Sequence, residues 1–329
     1  MIIRLIDEIH RIGEITIVSM HHEQAASFAA DAYSRTKNIP GVAFATSGPG
    51  ATNLITGIGS CFFDSLPAIF ITGQVNQNEQ KSDLETRQIG FQETDIVSIV
   101  EPITKAAFAI NDVEEVPSIF ERAFKIASEG RPGPVLIDIP MNLQNMEISE
   151  LDSPHLEETI KPDSNEIAVF SKELISQLRS AKKPLVLAGR GIRVAQVQSA
   201  FLRFIEKYDI PVTTSLLGLD AIPYDHPNRV GFIGTYGNRW ANQALNDCDV
   251  LLVLGSRLDL RQTGADAKSF ENNKKIFHVD IDRAELNNRI KGCETLQCDL
   301  KTFFDNNSYN NSDDNNSSWK EEILANYLN

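Results

Sequence analysis

Short apolar runs alternate along this chain with longer stretches of helical periodicity. In the first half we predict strands at 15–19, 42–46, 68–72, 106–110 and 135–139. The predicted helices of that half lie at 2–12, 22–36, 50–62, 93–99 and 113–129. Nearly continuous apolar strands separated by helices are typical of a parallel sheet covered on both faces. The first half therefore predicts a doubly wound α/β domain.

The second half repeats the alternation. Its predicted strands are 185–188, 212–214, 250–254 and 276–281, and its predicted helices are 165–180, 195–208 and 238–246. The fold class is thus α/β, with two doubly wound parallel-sheet domains at 1–150 and 165–305. Acidic residues and two prolines predict an exposed linker at 151–164. The Asn-rich segment 306–329 predicts a flexible tail, whose last eleven residues could form one short amphipathic helix.

Charge and cysteine content exclude several classes of protein. The net charge of −14 argues against nucleic acid and anionic membranes as partners, because both attract basic patches. No apolar run is long enough for a membrane span, and charges at Arg4 and Asp7 interrupt the start, so we expect no signal peptide. The four cysteines form no C-x-x-C pair, which favours free thiols over zinc or disulfides and predicts a cytoplasmic protein.

One candidate site begins at His22-Glu23-Gln24. This stretch follows the predicted strand 15–19 and opens an Ala-rich helix with Ala25, Phe28, Ala29 and Ala32 on one face. Glu23 should lie at the carboxyl edge of the sheet, where α/β proteins bind ligands. A glutamate in the first turn of a helix also has a purely structural explanation, since it favours the positive end of the helix dipole.

A second candidate is the turn Ser47-Gly48-Pro49-Gly50-Ala51-Thr52-Asn53, which follows a predicted strand and opens a helix. Its glycines permit a tight turn and a close approach of the backbone. It lacks the G-K-[ST] ending of a phosphate-binding loop. A tight turn that only packs helix against sheet remains an equal alternative for each residue in it.

Several further motifs follow in order: 64–67 (Asp-Ser-Leu-Pro), 71–75 (Ile-Thr-Gly-Gln-Val), 91–97, 102–105 and 130–140. Together with the two candidate sites, the series strongly resembles the pyrimidine-binding domain of thiamine-diphosphate enzymes of the acetolactate synthase type. The resemblance implies that Glu23 is catalytic and hydrogen-bonds N1′ of the aminopyrimidine, which favours the imino tautomer that removes the C2 proton. We expect burial to raise the pKa of this carboxyl so that it can share a proton with the ring.

The resemblance also implies cofactor-binding positions around Glu23. Gly48, Pro49 and Asn53 should lie near the pyrimidine half of the cofactor and the subunit interface. Gln74, Phe91 and Gln92 should approach the cofactor or the substrate channel, although glutamines at loop ends are commonly just solvated.

In the second half, several segments resemble the central domain of the same family. They are Gly189-Arg190-Gly191, Thr214-Ser215-Leu216-Leu217-Gly218-Leu219, Gly234-Thr235-Tyr236-Gly237, 255–264 and Asp280-Ile281-Asp282. The resemblance implies FAD, while some relatives bind ADP or nothing there. Arg257 and Arg261 suit a diphosphate, and Asp280 with Ile281 suits a ribose or adenine edge. Leu260-Arg261-Gln262 stands where the family has Asp-Arg-Val, which counts against FAD, and a lone G-x-G turn is weak support.

Two elements of the family pattern have no counterpart in this sequence. The family begins with a strand and a Gly-Pro-Gly-rich turn before the first helix, so we expect the first sheet to miss a strand and expose an unpaired neighbour. A Gly-Asp-Gly motif, which marks the domain that binds the diphosphate through Mg²⁺, does not occur either. We therefore expect the chain to hold only the pyrimidine half of thiamine diphosphate and no metal ligands.

The resulting prediction is acetolactate-synthase-like carboligation or decarboxylation of small 2-oxo acids, carried out only as part of a complete enzyme. The chain would assemble into a homo-oligomer or bind a separately encoded diphosphate-binding chain. One alternative is a catalytically incompetent fragment that folds, dimerises or binds a nucleotide. Another is a lyase of the same superfamily.

Overall fold

The computed structural model of the chain describes residues 1–148, 164–306 and 317–328. It consists of two compact units, Met1–Glu158 and Thr159–Asn329. The predicted linker 151–164 lies outside the described residues except for Ser164, and so does the 307–316 part of the predicted tail.

The first unit is built on a parallel sheet of four strands in the order β1-β2-β4-β3. The strands are β1 (Gly41–Ala45), β2 (Ala68–Gln74), β3 (Ala106–Ala109) and β4 (Pro134–Pro140). Every residue of β2 and β4 is buried, as expected for central strands covered on both faces. The strands predicted at 42–46, 68–72, 106–110 and 135–139 are confirmed.

Six α-helices surround this sheet. They are α1 (Ile3–Ile12), α2 (Glu23–Lys37), α3 (Pro49–Asn53), α4 (Ile55–Phe63), α5 (Ile96–Val100) and α6 (Val116–Ser128). Single turns of 3-10 helix occupy Gln77–Glu79, Glu101–Ile103, Val113–Glu115 and Leu143–Asn145. The predicted helix 50–62 is divided between α3 and α4, and the helix predicted at 113–129 begins as a 3-10 turn.

Helix α2 packs through small residues rather than through the face predicted from its alanines. Its buried residues are Ser27, Ala30, Asp31 and Ser34, whereas Phe28 is 42% exposed. A Cβ at Gly41 would lie 2.1 Å from the Ala30 carbonyl oxygen, and one at Gly57 would lie 2.1 Å from Ser27 Oγ. The face predicted for α2 was therefore wrong, because glycines opposite this helix select its small residues for close contact.

The strand predicted at 15–19 does not form. Residues 15–20 are irregular and exposed, including Ile15, Ile17 and Val18. Within the described part of the chain, β1 pairs with β2 along one edge only. An apolar sequence alone does not form a strand without a neighbour that satisfies its backbone.

The second unit has a parallel sheet of six strands in the order β10-β9-β8-β5-β6-β7. The strands are β5 (Pro184–Ala188), β6 (Val212–Thr214), β7 (Arg229–Phe232), β8 (Val250–Leu254), β9 (Lys275–Asp280) and β10 (Cys293–Gln297). Strand order reverses between β5 and β8, which is the arrangement of dinucleotide-binding folds. The two edge strands, β7 and β10, were not predicted, because their mixture of polar and apolar residues differs from a buried run.

Eight α-helices are described in this unit. They are α7 (Ser164–Ser180), α8 (Gly191–Val194), α9 (Gln198–Lys207), α10 (Arg239–Asp247), α11 (Leu260–Thr263), α12 (Ala267–Glu271), α13 (Leu300–Asp305) and α14 (Ser317–Leu328). Single 3-10 turns lie at Leu216–Gly218 and Arg283–Glu285. Among the described residues of the whole chain, no helix has the length and apolar character that crossing a bilayer requires.

Helix α14 is docked on the second unit, so the expected flexible tail does not extend to these residues. Trp319 is 3% exposed and Ile323 is 5% exposed, and both join the apolar cluster that contains Leu185. The indole Nε1 of Trp319 donates to the Pro184 carbonyl oxygen at 3.1 Å. Lys183 lies over the indole ring, 4.6 Å from its centroid, and forms an ion pair with Glu322. The burial of two apolar side chains holds this helix in place.

We predict that Trp319→Ala lowers the free energy of unfolding of the second unit by about 3–5 kcal/mol, because a large buried ring is replaced by a cavity. Urea unfolding followed by the fluorescence of Trp240, the other tryptophan, measures this. Trp319→Phe keeps a ring but loses the hydrogen bond to Pro184, so it should lower the free energy of unfolding by only about 1 kcal/mol. An unchanged unfolding midpoint for Trp319→Ala would show that the helix does not dock in solution.

Candidate functional site

The first candidate site lies where α2 begins. Glu23 is its first residue, and His22 caps the helix by accepting a hydrogen bond from the Gln24 backbone N–H at Nδ1, over 3.1 Å. The Glu23 side chain is only half-buried. Both its position in the first turn and the capping beside it are favourable for a carboxylate.

The glycine-rich turn meets Glu23 directly. Asn53 Nδ2 donates to Glu23 Oε2 at 3.0 Å, which joins α3 to the start of α2. A Cβ at Gly50 would lie 3.3 Å from Glu23 Oε1 and 2.9 Å from Thr46 Cγ2. Gly48 has a φ of +67°, and Pro49 follows it as the first residue of α3. The structure therefore brings Glu23 and Asn53 into contact beside the turn that contains Gly48, Pro49 and Gly50, and the absence of a Cβ at position 50 permits this close approach.

The expected pKa shift of Glu23 was wrong in direction for this chain. The hydrogen bond from Asn53 is the largest influence, and it lowers the pKa of the carboxyl below its ordinary value. A backbone hydrogen bond lowers the pKa further, while partial burial acts in the opposite direction. The carboxyl is stabilised as a carboxylate, because solvent reaches it and a donor faces it.

Gln92 also reaches the turn. It has a φ of +63°, and a Cβ at Gly48 would lie 2.7 Å from Gln92 Cβ, so the two residues are in close contact. Phe91, beside it, is 78% exposed. Glu93 fixes this loop by accepting from the backbone N–H groups of Lys81 at 2.6 Å and Ile89 at 2.8 Å. The loop thus presents an exposed aromatic ring beside the glycine turn.

The Gln74 side chain makes its hydrogen bonds within the first unit. Its Nε2 donates to the Thr94 carbonyl oxygen at 2.7 Å and to Asp138 Oδ2 at 2.9 Å, and its Oε1 accepts from the Val75 N–H at 3.0 Å. Its amide donors are both occupied, so the expected approach of this side chain to a cofactor does not match its contacts. Gln74 anchors the strand end to the loop that carries Gln92.

Asp138 is a residue that sequence reasoning missed. It is buried within β4, accepts from Thr72 Oγ1 at 2.6 Å, and receives the Gln74 bond described above. Burial is the largest influence and raises its pKa to about 6, against the opposing effect of these two donors. The available signal was an aspartate inside an otherwise apolar strand, Val135-Leu136-Ile137-Asp138-Ile139.

In the second unit, the Gly189-Arg190-Gly191 turn lies at the switch point but does not offer its glycine N–H groups to a ligand. Gly189 N donates to the Leu254 carbonyl oxygen at 2.9 Å, and Gly191 N donates to the Gly255 carbonyl oxygen at 3.1 Å. A Cβ at Gly189 would lie 2.0 Å from that Gly255 oxygen. These glycines are needed because their backbone packs against that of Gly255. The prediction that this turn could receive a phosphate was therefore wrong.

The other residues predicted for the second unit have diverse surroundings. The hydroxyl of Thr214 is fully buried at the carboxyl end of β6 and has no hydrogen-bond partner among the residues that the structure describes. Arg257 pairs with Asp259 at 3.6 Å, and the Arg261 side chain is exposed. Asp280 accepts from the Asp282 N–H at 2.9 Å.

Ile281 follows Asp280 directly, and its carbonyl oxygen accepts from Gln297 Nε2 at 3.3 Å. Within residues 1–148, 164–306 and 317–328, no group of three or more His, Cys, Asp or Glu side chains could hold a metal ion.

The chain matches two family models. Residues 1–99 match the family model for the thiamine pyrophosphate enzyme, N-terminal TPP binding domain, and residues 171–306 match that for the thiamine pyrophosphate enzyme, central domain.

Similar proteins include three acetolactate synthase large subunits, one of which is described as probable. The acetolactate synthase large subunit of Lactococcus lactis is 38% identical over 302 residues, which is 90% of this chain and 51% of that protein. The probable acetolactate synthase large subunit of Methanocaldococcus jannaschii is 39% identical over 300 residues, 88% of this chain and 48% of its own length. The isozyme 2 large subunit of Escherichia coli K12 is 38% identical over 295 residues, with coverages of 88% and 51%. The chain spans about half the length of these relatives.

We predict that Asn53→Ala raises the pKa of Glu23 towards its ordinary value, because the strongest donor to the carboxylate is lost. Titration of the side-chain carboxyl by carbon-13 NMR measures this shift. Thr52→Ala, in the same short helix, is the matched control and should leave the titration of Glu23 unchanged. An unaltered Glu23 titration in Asn53→Ala would contradict the assigned cause.

Burial of Asp138 predicts a pH dependence of stability. Its folded pKa of about 6 lies above the ordinary value of 3.8, so between these values the folded chain binds more protons than the unfolded chain. Stability is therefore lost as the pH rises through this window, by up to about 3 kcal/mol. Asp138→Asn can keep one bond to Gln74 and one to Thr72, so it should remove most of this loss.

The measurement is urea unfolding of variant and parent at several values between pH 4 and pH 7. The difference between the two proteins isolates Asp138, because buried His278 acts in the opposite direction in the other unit. Its pKa is lowered by burial from 6.5 to about 4, so its contribution to stability falls as the pH decreases through that range. Asp7→Asn, at an exposed site in α1, is the control. Parallel pH profiles for parent and Asp138→Asn would refute the prediction.

Proposed function

Because the chain belongs to the thiamine pyrophosphate enzyme family, with relatives of the acetolactate synthase type, we propose that it forms the pyrimidine-binding half of a thiamine-diphosphate site. The reaction is carboligation or decarboxylation of small 2-oxo acids by a complete enzyme. The observation that carries this proposal is the contact of Glu23 with Asn53 beside Gly50.

The residues present fit the aminopyrimidine. Asn53 donates to Glu23 Oε2, and a backbone hydrogen bond also engages this carboxyl. Gly50 lets the turn approach the carboxyl closely, because a Cβ there would lie 3.3 Å from Oε1, and a Cβ at Gly48 would lie 2.7 Å from Gln92 Cβ. We assign binding of the pyrimidine to Glu23, Gly48, Pro49, Asn53, Phe91 and Gln92.

The role of Glu23 is to hold a proton at the N1′ position of the ring. When bound, thiamine diphosphate supplies the nucleophilic carbon that 2-oxo acid chemistry requires. In the free chain Asn53 keeps Glu23 ionised, and desolvation already acts against it. Covering the site by another subunit strengthens this desolvation and raises the pKa, so Glu23 gains the ability to share the proton.

The other half of the cofactor needs ligands from elsewhere. A divalent ion between phosphates requires several oxygen ligands, and the described residues contain no such group. We propose that Mg²⁺ and the diphosphate are held by a domain of the remaining half of the enzyme, on the same or a separate polypeptide. A homo-oligomer would then complete each site across its interface. We place the enzyme in the cytoplasm, since all four cysteines are free thiols.

For the second unit we propose a structural nucleotide site for FAD or ADP. The reversal of strand order at β5 and β8 and the unpartnered Thr214 hydroxyl favour it. Because the glycine N–H groups of the turn are occupied, the side chains of Arg257 and Arg261 would bind the diphosphate. Asp280 and Ile281 would face the ribose or adenine. A chain that binds only such a nucleotide, without catalysis, is the second candidate function.

The test combines this chain with the part of the Lactococcus lactis relative that it does not match, in the presence of thiamine diphosphate, Mg²⁺ and pyruvate. We predict that Glu23→Gln lowers the rate of acetolactate formation by at least about 100-fold, the usual scale for loss of a positioned acid–base group. Glu166→Gln, in the first turn of α7, is the matched control and should retain the rate.

Calorimetry separates the two candidate functions. Heat from thiamine diphosphate and Mg²⁺ that depends on the complementing half supports the catalytic proposal. Heat from ADP or FAD alone, with none from thiamine diphosphate under either condition, would leave only the nucleotide-binding function. A Glu23→Gln complex that turns over pyruvate at the parent rate would remove Glu23 from its role.

A further inference from the structure

A pocket of about 180 Å³ lies in the second unit, between β7 and the docked helix α14. Its walls include Pro211, Tyr224, Arg229, Trp240, Lys320 and Ile323. Arg229 is the first residue of β7, so the pocket lies at the amino end of this parallel sheet. The switch point follows the carboxyl ends of β5 and β8. The pocket is therefore separate from the nucleotide site proposed above.

Arg229 contributes a cation to the wall of this pocket. Its guanidinium carbon lies 4.7 Å from the centroid of the Tyr224 ring. Its Nε is buried and has no hydrogen-bond partner, and no acidic side chain in the described parts of the chain pairs with it. Arg229 thus brings to the pocket wall a positive charge that no carboxylate of the described residues balances, and an anion in the pocket would balance it.

The second cation of the pocket is already neutralised. Lys320 forms an ion pair with Asp209, which also accepts from Asn228 Nδ2 at 3.2 Å. Arg229 and Lys320 together with Asp209 thus leave one positive charge unbalanced. This charge suits a ligand with a single negative charge better than a doubly charged phosphate.

The remaining walls are apolar. Tyr224 and Trp240 contribute rings, Pro211 and Ile323 contribute aliphatic surface, and the indole N–H of Trp240 is occupied by the Val230 carbonyl oxygen at 2.8 Å. The volume is below the range of pockets that enclose drug-sized ligands. We propose that this pocket binds a small monocarboxylate with an apolar body, whose two oxygens accept from the Arg229 guanidinium. The apolar body contacts Ile323 and so links binding to the docking of α14.

The experiment uses the full chain labelled with nitrogen-15 and the indole N–H signal of Trp240 as a local reporter. Sodium benzoate is the probe, and benzamide is its neutral counterpart of nearly equal shape. We expect a saturable shift of the Trp240 signal with benzoate and at least tenfold weaker binding of benzamide. Inorganic phosphate should bind more weakly than benzoate.

Variants test the role of the guanidinium. Arg229→Gln should weaken benzoate binding at least tenfold. Arg229→Lys should give an intermediate affinity, because it keeps the positive charge but lacks the two parallel N–H donors of the guanidinium. Arg203→Gln, at an exposed position of α9, is the matched control and should bind like the parent. The benzamide comparison uses the parent chain, so it remains decisive if an Arg229 variant fails to fold.

Several results would overturn the proposal. They are equal binding of benzamide and benzoate, unchanged benzoate affinity in folded Arg229→Gln, or the absence of a saturable shift. Tighter binding of inorganic phosphate than of benzoate would also overturn it, because the pocket would then be a phosphate site.

Discussion

The position of Glu23 depends on how closely α2 approaches its neighbours. Gly41 in β1 and Gly57 in α4 leave no room for a Cβ against the backbone and the small side chains of α2. A Cβ at either position would lie 2.1 Å from an atom of α2, so the helix would have to shift or a side chain would have to move. The bond between Asn53 and Glu23 spans 3.0 Å, so it exists only because the helix is held at this distance. Small residues in α2 are therefore a requirement of the site and not only of the core.

Most of the sheet architecture could be predicted from the sequence, because buried parallel strands such as β2 and β4 read as continuous apolar runs. The failures have a common origin in tertiary context. Residues 15–19 have the composition of a strand but no paired neighbour, while β7 and β10 pair at sheet edges without a strand-like pattern. The face of α2 was missed because the pattern of its alanines carries no information about the glycines opposite.

The residues of the candidate site also differ in how far the sequence could identify them. Glu23 and the turn that contains Asn53 were singled out together by the resemblance to the family, because a glutamate at a helix start has a structural explanation of its own. Gln74 and Gly189 could not, because the same residue types serve ligands in some folds and internal contacts in this one. Only the coordinates show that Gln74 donates to Asp138 and that the Gly189 N–H is occupied by Leu254.

An ionised Glu23 is compatible with a stable free chain. A carboxylate at a helix N-terminus with an amide donor is a favourable arrangement in water, so the free chain carries no buried unpaired charge there. In the proposed function a second subunit covers this carboxylate and excludes solvent from it, while Asn53 keeps its bond to Oε2. Under that proposal the desolvation that raises the pKa comes with assembly, so the carboxyl becomes fit for proton sharing only where the rest of the cofactor is also bound.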